Sequence, residues 1–255
     1  MNGFEQTIGD CTKSLMAYFG KRGYVQKTRI WLDAYVPTDS SILMLNKFER
    51  AFGEDPFLFG LSVDNVRQFA EVSAGLAYHN EAFIKSTFIS EILTPNAHIV
   101  GYEFPIGDNR VDLCALDSRS VAFEIKTAYD KLDRLNKQLS SYLRAFEYVY
   151  VVAEEGKLGD VFEIAPECVG IYSYSDSARK LKFTLRRCAR HSKFLDEGFQ
   201  KDTFPSALAE SDDVNNAFKN TIQKKYKKNW AFLKANMERL SMLDYQASFR
   251  LCRCF

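Results

Sequence analysis

Three consecutive segments with an apolar residue at every second position constrain the fold of this chain most strongly. They span residues 98–127 and read HIVGYEFPIG, NRVDLCALD and SVAFEIKT. Alternation of this kind is typical of β-strands that bury one face. Turn-forming residues separate the segments at positions 107–109 and 117–119. The sequence therefore predicts an antiparallel meander of three strands.

A helix and a fourth strand are predicted directly after the meander. Residues 130–146 carry an apolar side chain every three or four positions, which favours a helix with one buried stripe. Residues 148–154 read YVYVVAE, a β-branched and aromatic run that suits a buried strand. Because parallel strands need a crossover connection, we predict that the helix makes this strand parallel to an earlier one.

Helical periodicity dominates both ends of the chain. It covers residues 4–75, then 80–93 until Pro95 stops it, and finally 213–243. Two weaker strands, GIYSYS and KLKFTLR, follow the crossover strand. We predict an α/β fold with a mixed-sheet core in the order αβββαβ and helical extensions at both ends. The predicted regions are 1–77, which is helical, 78–187, which is the core, and 188–255, which is basic and mainly helical.

The overall charge excludes one simple way of attracting a partner. The chain has 255 residues, with 34 basic and 33 acidic side chains, so its net charge is only +1. A nucleic-acid surface therefore has to come from local clusters of basic residues. No apolar run approaches the roughly 18 residues of a membrane span, and charges interrupt the first twenty residues. We expect a cytoplasmic protein that does not contact membranes.

The cysteines do not form a recognisable framework. The six are scattered along the chain without a CxxC pair, so reduced thiols are the expected state.

Three charged residues interrupt the second and third segments of the meander. A three-residue turn at 117–119 would place Asp112 opposite Glu124, and Lys126 shares a strand face with Glu124. The alternating residues on the other face are apolar, so the hairpin keeps its packing. Fully buried charges are rare unless they are paired or bind a metal. The three side chains are therefore predicted to meet in one small volume.

Two carboxylates beside a lysine suit a hard divalent cation. Mg²⁺, or Mn²⁺, prefers carboxylate, carbonyl and water oxygens, so we expect Asp112, Glu124 and the Ile125 carbonyl to hold such an ion. The ion could activate a water molecule while Lys126 stabilises negative charge, which is chemistry for phosphodiester hydrolysis. The alternative for these charges is an ordinary ion pair at a sheet edge.

The spacing of these residues carries a family resemblance. Asp112 and eleven intervening residues are followed by Glu124-Ile125-Lys126, within the predicted αβββαβ order. This arrangement resembles the PD-(D/E)XK nuclease superfamily, with its restriction-endonuclease-like core, and a little-characterised bacterial group within it. The resemblance implies that Asp112, Glu124 and Lys126 are catalytic. It also implies that a carboxylate on the helix before the first strand joins the site, with Glu81 at the expected position and Glu91 as the other candidate.

A second motif lies on the predicted crossover helix. Gln138 and Tyr142 are four residues apart and so neighbours on one helix side. The pattern resembles the Gln-x-x-x-Tyr motif of RecB-like nucleases, which implies contact with the substrate. Arg134 lies one turn earlier and would extend this side as a phosphate contact.

The same resemblance adds an alternative for the cysteines, because some RecB-like nucleases hold an iron–sulfur cluster. Its ligands would be Cys11, Cys188, Cys252 and Cys254, whose spacing departs from the usual downstream grouping.

These features predict a magnesium-dependent nuclease that hydrolyses DNA. The alternatives are a non-catalytic nucleic-acid-binding or partner-binding protein on the same fold, and an enzyme that cleaves RNA. Two basic stretches, residues 179–193 and 224–228, could contact phosphates, and Trp230 could stack on bases. Solvated helix faces are the other explanation for such charge runs. The sequence sets neither strand preference nor oligomeric state.

Overall fold

A six-stranded sheet is formed by the described residues of the computed structural model. The strands lie side by side in chain order, with antiparallel pairing in β1–β2–β3, parallel pairing in β3–β4–β5 and antiparallel pairing in β5–β6. Their bounds are β1 Ile99–Ile106, β2 Asn109–Leu116, β3 Ser120–Lys126, β4 Tyr148–Glu154, β5 Gly170–Ser177 and β6 Lys180–Arg187. The structure describes residues 3–36, 39–77, 81–177, 180–195, 214–236, 240–241 and 244–245.

Helices precede the first strand and follow the last one, and they also connect β3 to β4 and β4 to β5. They are α1 Gly3–Asp33, α2 Ser41–Phe52, α3 Val66–Ala77, α4 Glu81–Phe88, α5 Leu135–Leu143, α6 Leu158–Ile164 and α7 Val214–Asn236. A π-helical turn, Ile89–Leu93, extends α4 up to the residues before Pro95. The predicted α/β class, the mixed sheet and the terminal helices are confirmed.

Local sequence explains the register of the β2–β3 hairpin. The Asp117 carboxylate accepts a hydrogen bond from the Arg119 backbone N–H and so closes the turn. Leu116 then pairs with Ser120 and Leu113 with Phe123, as a three-residue turn requires. Because side chains alternate across a strand, this register decides which residues share a face.

The crossover helix α5 begins later than the apolar pattern suggests. The Asp130 carboxylate accepts from the Thr127 backbone N–H at 2.7 Å, so it closes a turn that precedes the helix. From Leu135 onward the helix buries one side, which includes Leu139 and Tyr142. It returns the chain to the sheet so that β4 pairs in parallel with β3.

The chain divides into two compact units. The first holds residues up to Phe83 together with the described residues 240–241 and 244–245. Its core is an aromatic cluster in which Phe48 stacks on Phe52 at 4.0 Å between ring centroids and Trp31 meets Phe48 edge to face. The second unit begins at Ile84 and contains the sheet, α5, α6 and α7. The division into regions 1–77, 78–187 and 188–255 stays a prediction.

In the part of the chain that the structure describes, every helix is too short or too polar to cross a bilayer.

Candidate functional site

The charged face of β3 holds an ion pair in a buried position. Glu124 is 2% exposed and Lys126 8% exposed. The Lys126 ammonium lies 2.7 Å from Glu124 Oε1 and also donates to Gln138 Oε1 at 3.0 Å. Alternation along β3 places both side chains on the face that α5 covers. The ion pair is therefore enclosed between strand and helix.

Helix α5 adds further donors to the same carboxylate. Gln138 Nε2 donates to Glu124 Oε1 at 2.6 Å. The Tyr142 hydroxyl lies 2.9 Å from Glu124 Oε2 and 2.7 Å from the Arg110 carbonyl oxygen. Gln138 and Tyr142 thus meet Lys126 and Glu124 in one place, as their four-residue spacing suggested.

Asp112 is held from two directions. Its Oδ2 accepts from the Ile125 backbone N–H at 2.7 Å, which ties β2 to β3. Its Oδ1 lies 2.9 Å from the ammonium of Lys85, and that ammonium is also 2.6 Å from Glu103 Oε1. Asp112 and Glu124 therefore each have a lysine beside them.

Sequence reasoning missed Lys85, Glu103 and Arg110, which complete this charge network. Lys85 is buried on α4 beside Ile84 and Phe88. A lysine within such an apolar stripe could have indicated from the sequence that it has a buried acidic partner. Glu103 interrupts the apolar alternation of β1 and has a positive φ of 52°. Arg110 reaches Glu103 Oε2 at 3.3 Å from the exposed edge.

Two predicted site residues, Arg134 and Glu81, are exposed, and their part in the site stays a prediction. Arg134 is exposed just before α5, and its carbonyl accepts the Gln138 backbone N–H at 3.0 Å. Glu81 is the exposed first residue of α4, and it falls in the first unit of the chain.

Burial governs the ionisation of Glu124 and Tyr142. It is the largest influence on Glu124, followed by the charge of Asp112, and together they raise the pKa of the Glu124 carboxyl to about 7 although Lys126 opposes them. Burial, then the Glu124 charge, also raises the pKa of the Tyr142 hydroxyl, so this hydroxyl stays protonated and can donate. Lys126, Gln138 and Tyr142 therefore all donate hydrogen bonds to the Glu124 carboxyl group.

A metal ion at Asp112 or Glu124 would meet protein hydrogen-bond donors. Both oxygens of Asp112 and both oxygens of Glu124 contact a protein donor, as described above. An ion there would compete with the ammonium of Lys85 or Lys126 for these oxygens, although carboxylate oxygens of Glu103 and Asp112 lie within 4.8 Å of each other, close enough to share one ion. Mg²⁺ or Mn²⁺ bound by Asp112, Glu124 and the Ile125 carbonyl stays a prediction of the sequence.

Several side chains in and beside the basic stretches predicted as nucleic-acid contacts are engaged within the protein. In residues 180–193, Arg186 lies 2.7 Å from Glu155, and Arg187 donates to the Val169 carbonyl. On α7, Trp230 is only 3% exposed, so the expectation that it stacks on bases was wrong. Spacing along a helix does not by itself determine whether an aromatic residue near lysines faces the protein core or the solvent.

Comparison with known proteins decides the family. A family model described as bacteriophage P4 protein cII matches residues 76–248, which is more than half of the chain. The chain belongs to the bacteriophage P4 cII family. Protein cII of Enterobacteria phage P4 is 31% identical over 94 residues, which are 35% of this chain and 36% of that relative. The chain thus spans about a third of the curated cII relative's length, and no solved structure matches it.

Membership of the cII family corrects the functional predictions. The assignment to the PD-(D/E)XK nucleases was wrong, and so were the predicted magnesium-dependent nuclease activity and the hydrolase class, because the matching family is cII. The catalytic roles of Asp112, Glu124, Lys126 and Glu81 rested on that assignment. The physical reason for the resemblance is that a buried ion-pair network can place the same charges at the same spacing.

Proposed function

We propose that this cII-family chain is a non-catalytic nucleic-acid-binding protein, and that α7 provides the binding surface. The observation that carries the proposal is the composition of this helix, VNNAFKNTIQKKYKKNWAFLKAN, which has six lysines and no acidic residue. Phosphate neutralisation by lysine and arginine supplies most sequence-independent affinity for nucleic acids. A local cluster of this kind can attract DNA or RNA although the chain's net charge is only +1.

The apolar side of α7 packs against other residues of the second unit, to which the helix belongs. Phe218 contacts Phe104 and Phe146 edge to face, with ring centroids 5.6 and 5.1 Å apart. The Tyr226 hydroxyl donates to the Tyr102 carbonyl at 2.7 Å. This packing determines which lysines of α7 face the solvent.

Two of the six lysines of α7 contact other residues of the protein. Lys219 lies 2.8 Å from Glu147 Oε2 and donates to the Ser118 carbonyl at 2.9 Å. Lys225 lies over the rings of Phe104 and Tyr226, at 5.8 and 5.6 Å. The other four are exposed and lie within about a third of the helix circumference at 100° per residue. They are Lys224, Lys227, Lys228 and Lys234.

The charge network has a structural role in this proposal. Removing one partner from a buried pair leaves an uncompensated charge, so such networks fix one arrangement of the elements that contribute to them. We infer that Lys85, Asp112, Glu124 and Lys126 hold α4, β2 and β3 in register. Contact of Gln138, Tyr142 and Arg134 with nucleic acid stays a prediction.

We also infer that residues 84–154 keep a restriction-endonuclease-like architecture as a scaffold without hydrolytic activity. The order of α4, the β1–β3 meander, α5 and the parallel strand β4 supports this inference. The proposed location is the cytoplasm, where nucleic acid is accessible.

Fluorescence anisotropy with labelled duplex and single-stranded oligonucleotides tests the binding surface. The variant combines Lys224→Gln, Lys227→Gln and Lys228→Gln, and each titration is repeated at several salt concentrations. We expect weaker binding to every sequence and a log–log salt slope that falls by about 2 to 3, since each lost phosphate contact removes about 0.7 to 0.9.

A matched control separates local charge from net charge. The triple variant Lys13→Gln, Lys21→Gln and Lys137→Gln changes the same number of exposed lysines outside α7. It should bind like the parent. Equal losses in the two triple variants, or no binding by the parent at low salt, would remove α7 as the nucleic-acid surface.

A further inference from the structure

A pocket lies on the sheet face opposite Glu124 and Lys126. It has a volume of about 290 Å³ and includes Phe123 of β3, Tyr148 and Tyr150 of β4 and Tyr172 of β5 in its lining. Strand alternation explains the position, because Phe123 and Tyr150 are paired residues and both point away from α5. We call this the tyrosine pocket.

The rings in the tyrosine pocket form a preorganised surface. Phe123 and Tyr150 stack with centroids 5.5 Å apart and ring planes 17° apart, and Tyr172 lies 5.5 Å from Tyr150. Gly170 pairs with Tyr150 across β4 and β5, and a Cβ there would overlap the Tyr150 ring and lie 2.7 Å from the Ala189 backbone nitrogen. Glycine at this position therefore allows the ring to lie over the neighbouring strand.

The polar groups of the pocket are available to a ligand. Among the described residues, no protein group hydrogen-bonds the hydroxyls of Tyr148, Tyr150 or Tyr172. The Asn96 side chain lines the pocket and is exposed. A planar ligand could thus stack on the rings and still find donors and acceptors at its edges.

Arg119 and His191 lie against the Tyr148 ring at one side of the tyrosine pocket. The Arg119 guanidinium lies 5.5 Å from the Tyr148 ring centroid, and His191 meets the same ring edge to face at 5.7 Å. The Asp117 carboxylate, which also lines the pocket, lies 2.8 Å from the Arg119 guanidinium.

We propose that the tyrosine pocket receives an unpaired base of single-stranded nucleic acid, which deepens the nucleic-acid-binding function proposed above and rests on it. Stacking on aromatic side chains beside cationic groups is how proteins hold single strands. The volume lies just below the roughly 300–1,000 Å³ that is typical of small-ligand pockets. It suits one planar group, whereas a duplex keeps its bases inside the stack. The α7 surface would contact phosphates of either form.

The test compares single-stranded and duplex oligonucleotides of one sequence. Tyr150→Leu removes the stacking ring and keeps an apolar side chain, so we expect single-strand affinity to fall about 5- to 150-fold while duplex affinity stays near that of the parent. Tyr150→Phe keeps the ring and should retain most of the single-strand affinity. Tyr129→Leu is the matched control, because Tyr129 is 83% exposed and outside the pocket.

The outcomes distinguish this inference from the proposed function. Parent protein that binds neither form would refute both proposals, whereas unchanged single-strand affinity in Tyr150→Leu would refute only the tyrosine pocket. Photocrosslinking of the parent protein with a single strand containing 5-iodouracil gives an answer that does not depend on variant folding. Crosslinks at Tyr148, Tyr150 or Tyr172 support the pocket, and crosslinks confined to α7 overturn it.

Discussion

Glu124 combines deep burial with a cationic neighbour, and burial has the larger effect on its ionisation. The pKa of its carboxyl rises from an ordinary 4.5 to about 7. Between these values the folded protein holds a proton that the unfolded chain has released. The free energy of unfolding must therefore fall as pH rises from about 4.5 to about 7 and then stay level with respect to this group.

Glu124→Gln tests this linkage. The amide cannot ionise, so we expect the variant to lose the part of the pH dependence that Glu124 causes, at most about 3 kcal/mol between pH 4.5 and 7. The measurement is denaturant unfolding at several pH values across this window. Glu163→Gln, at an exposed position on α6, should keep the slope of the parent. An unchanged slope in Glu124→Gln would show that another group controls it.

At the scale of elements, the contact between α7 and β1 depends on a glycine. A Cβ at Gly101 would lie 2.5 Å from Cδ2 of Tyr226 and 2.8 Å from Sγ of Cys114. The Tyr226 ring is fully buried at this point, and its hydroxyl binds the next carbonyl of the strand. The helix can therefore approach the sheet closely only where β1 has no side chain.

Gly101→Ala should weaken this contact. Overpacking of a buried position typically costs about 1 to 3 kcal/mol, and we expect a loss of this size in the free energy of unfolding. Gly159→Ala is the control, because no atom lies within 4 Å of a Cβ there and alanine favours the helix α6. Equal stability of the two variants would mean that Tyr226 can move aside without cost.

At the scale of the whole molecule, the chain has two compact units and two tryptophans. Trp31 is buried in the helical unit, where its indole N–H donates to the Met44 carbonyl at 2.9 Å. Trp230 is buried on α7 in the unit that contains the sheet. Each unit thus has an aromatic core and one intrinsic fluorescence probe.

Single-tryptophan variants can follow the two units separately. Trp31→Phe leaves Trp230 as the probe of the sheet-containing unit, and Trp230→Phe leaves Trp31 as the probe of the helical unit. Because each unit has its own core, we expect different unfolding midpoints in guanidinium. Far-ultraviolet circular dichroism of the parent should show both transitions. One coincident transition for all three measurements would indicate a single cooperative unit.

Several features of the fold followed from the sequence alone because they depend on neighbouring residues. Alternation and turn chemistry predicted the β1–β3 meander and its register, and the apolar stripe from Leu135 predicted α5. Four-residue spacing also placed Gln138 and Tyr142 on one side of the helix. Such patterns need no knowledge of distant contacts.

The character of the site was decided only by tertiary structure. Asp112, Glu124 and Lys126 could be an open metal site or a closed network, and the difference lies in partners from other elements. Lys85 arrives from α4, and Gln138 and Tyr142 arrive from α5. The burial of Trp230 likewise depends on how α7 packs. Local pattern fixes the face on which a side chain lies, but its ionisation and partners depend on which groups the fold brings to that face.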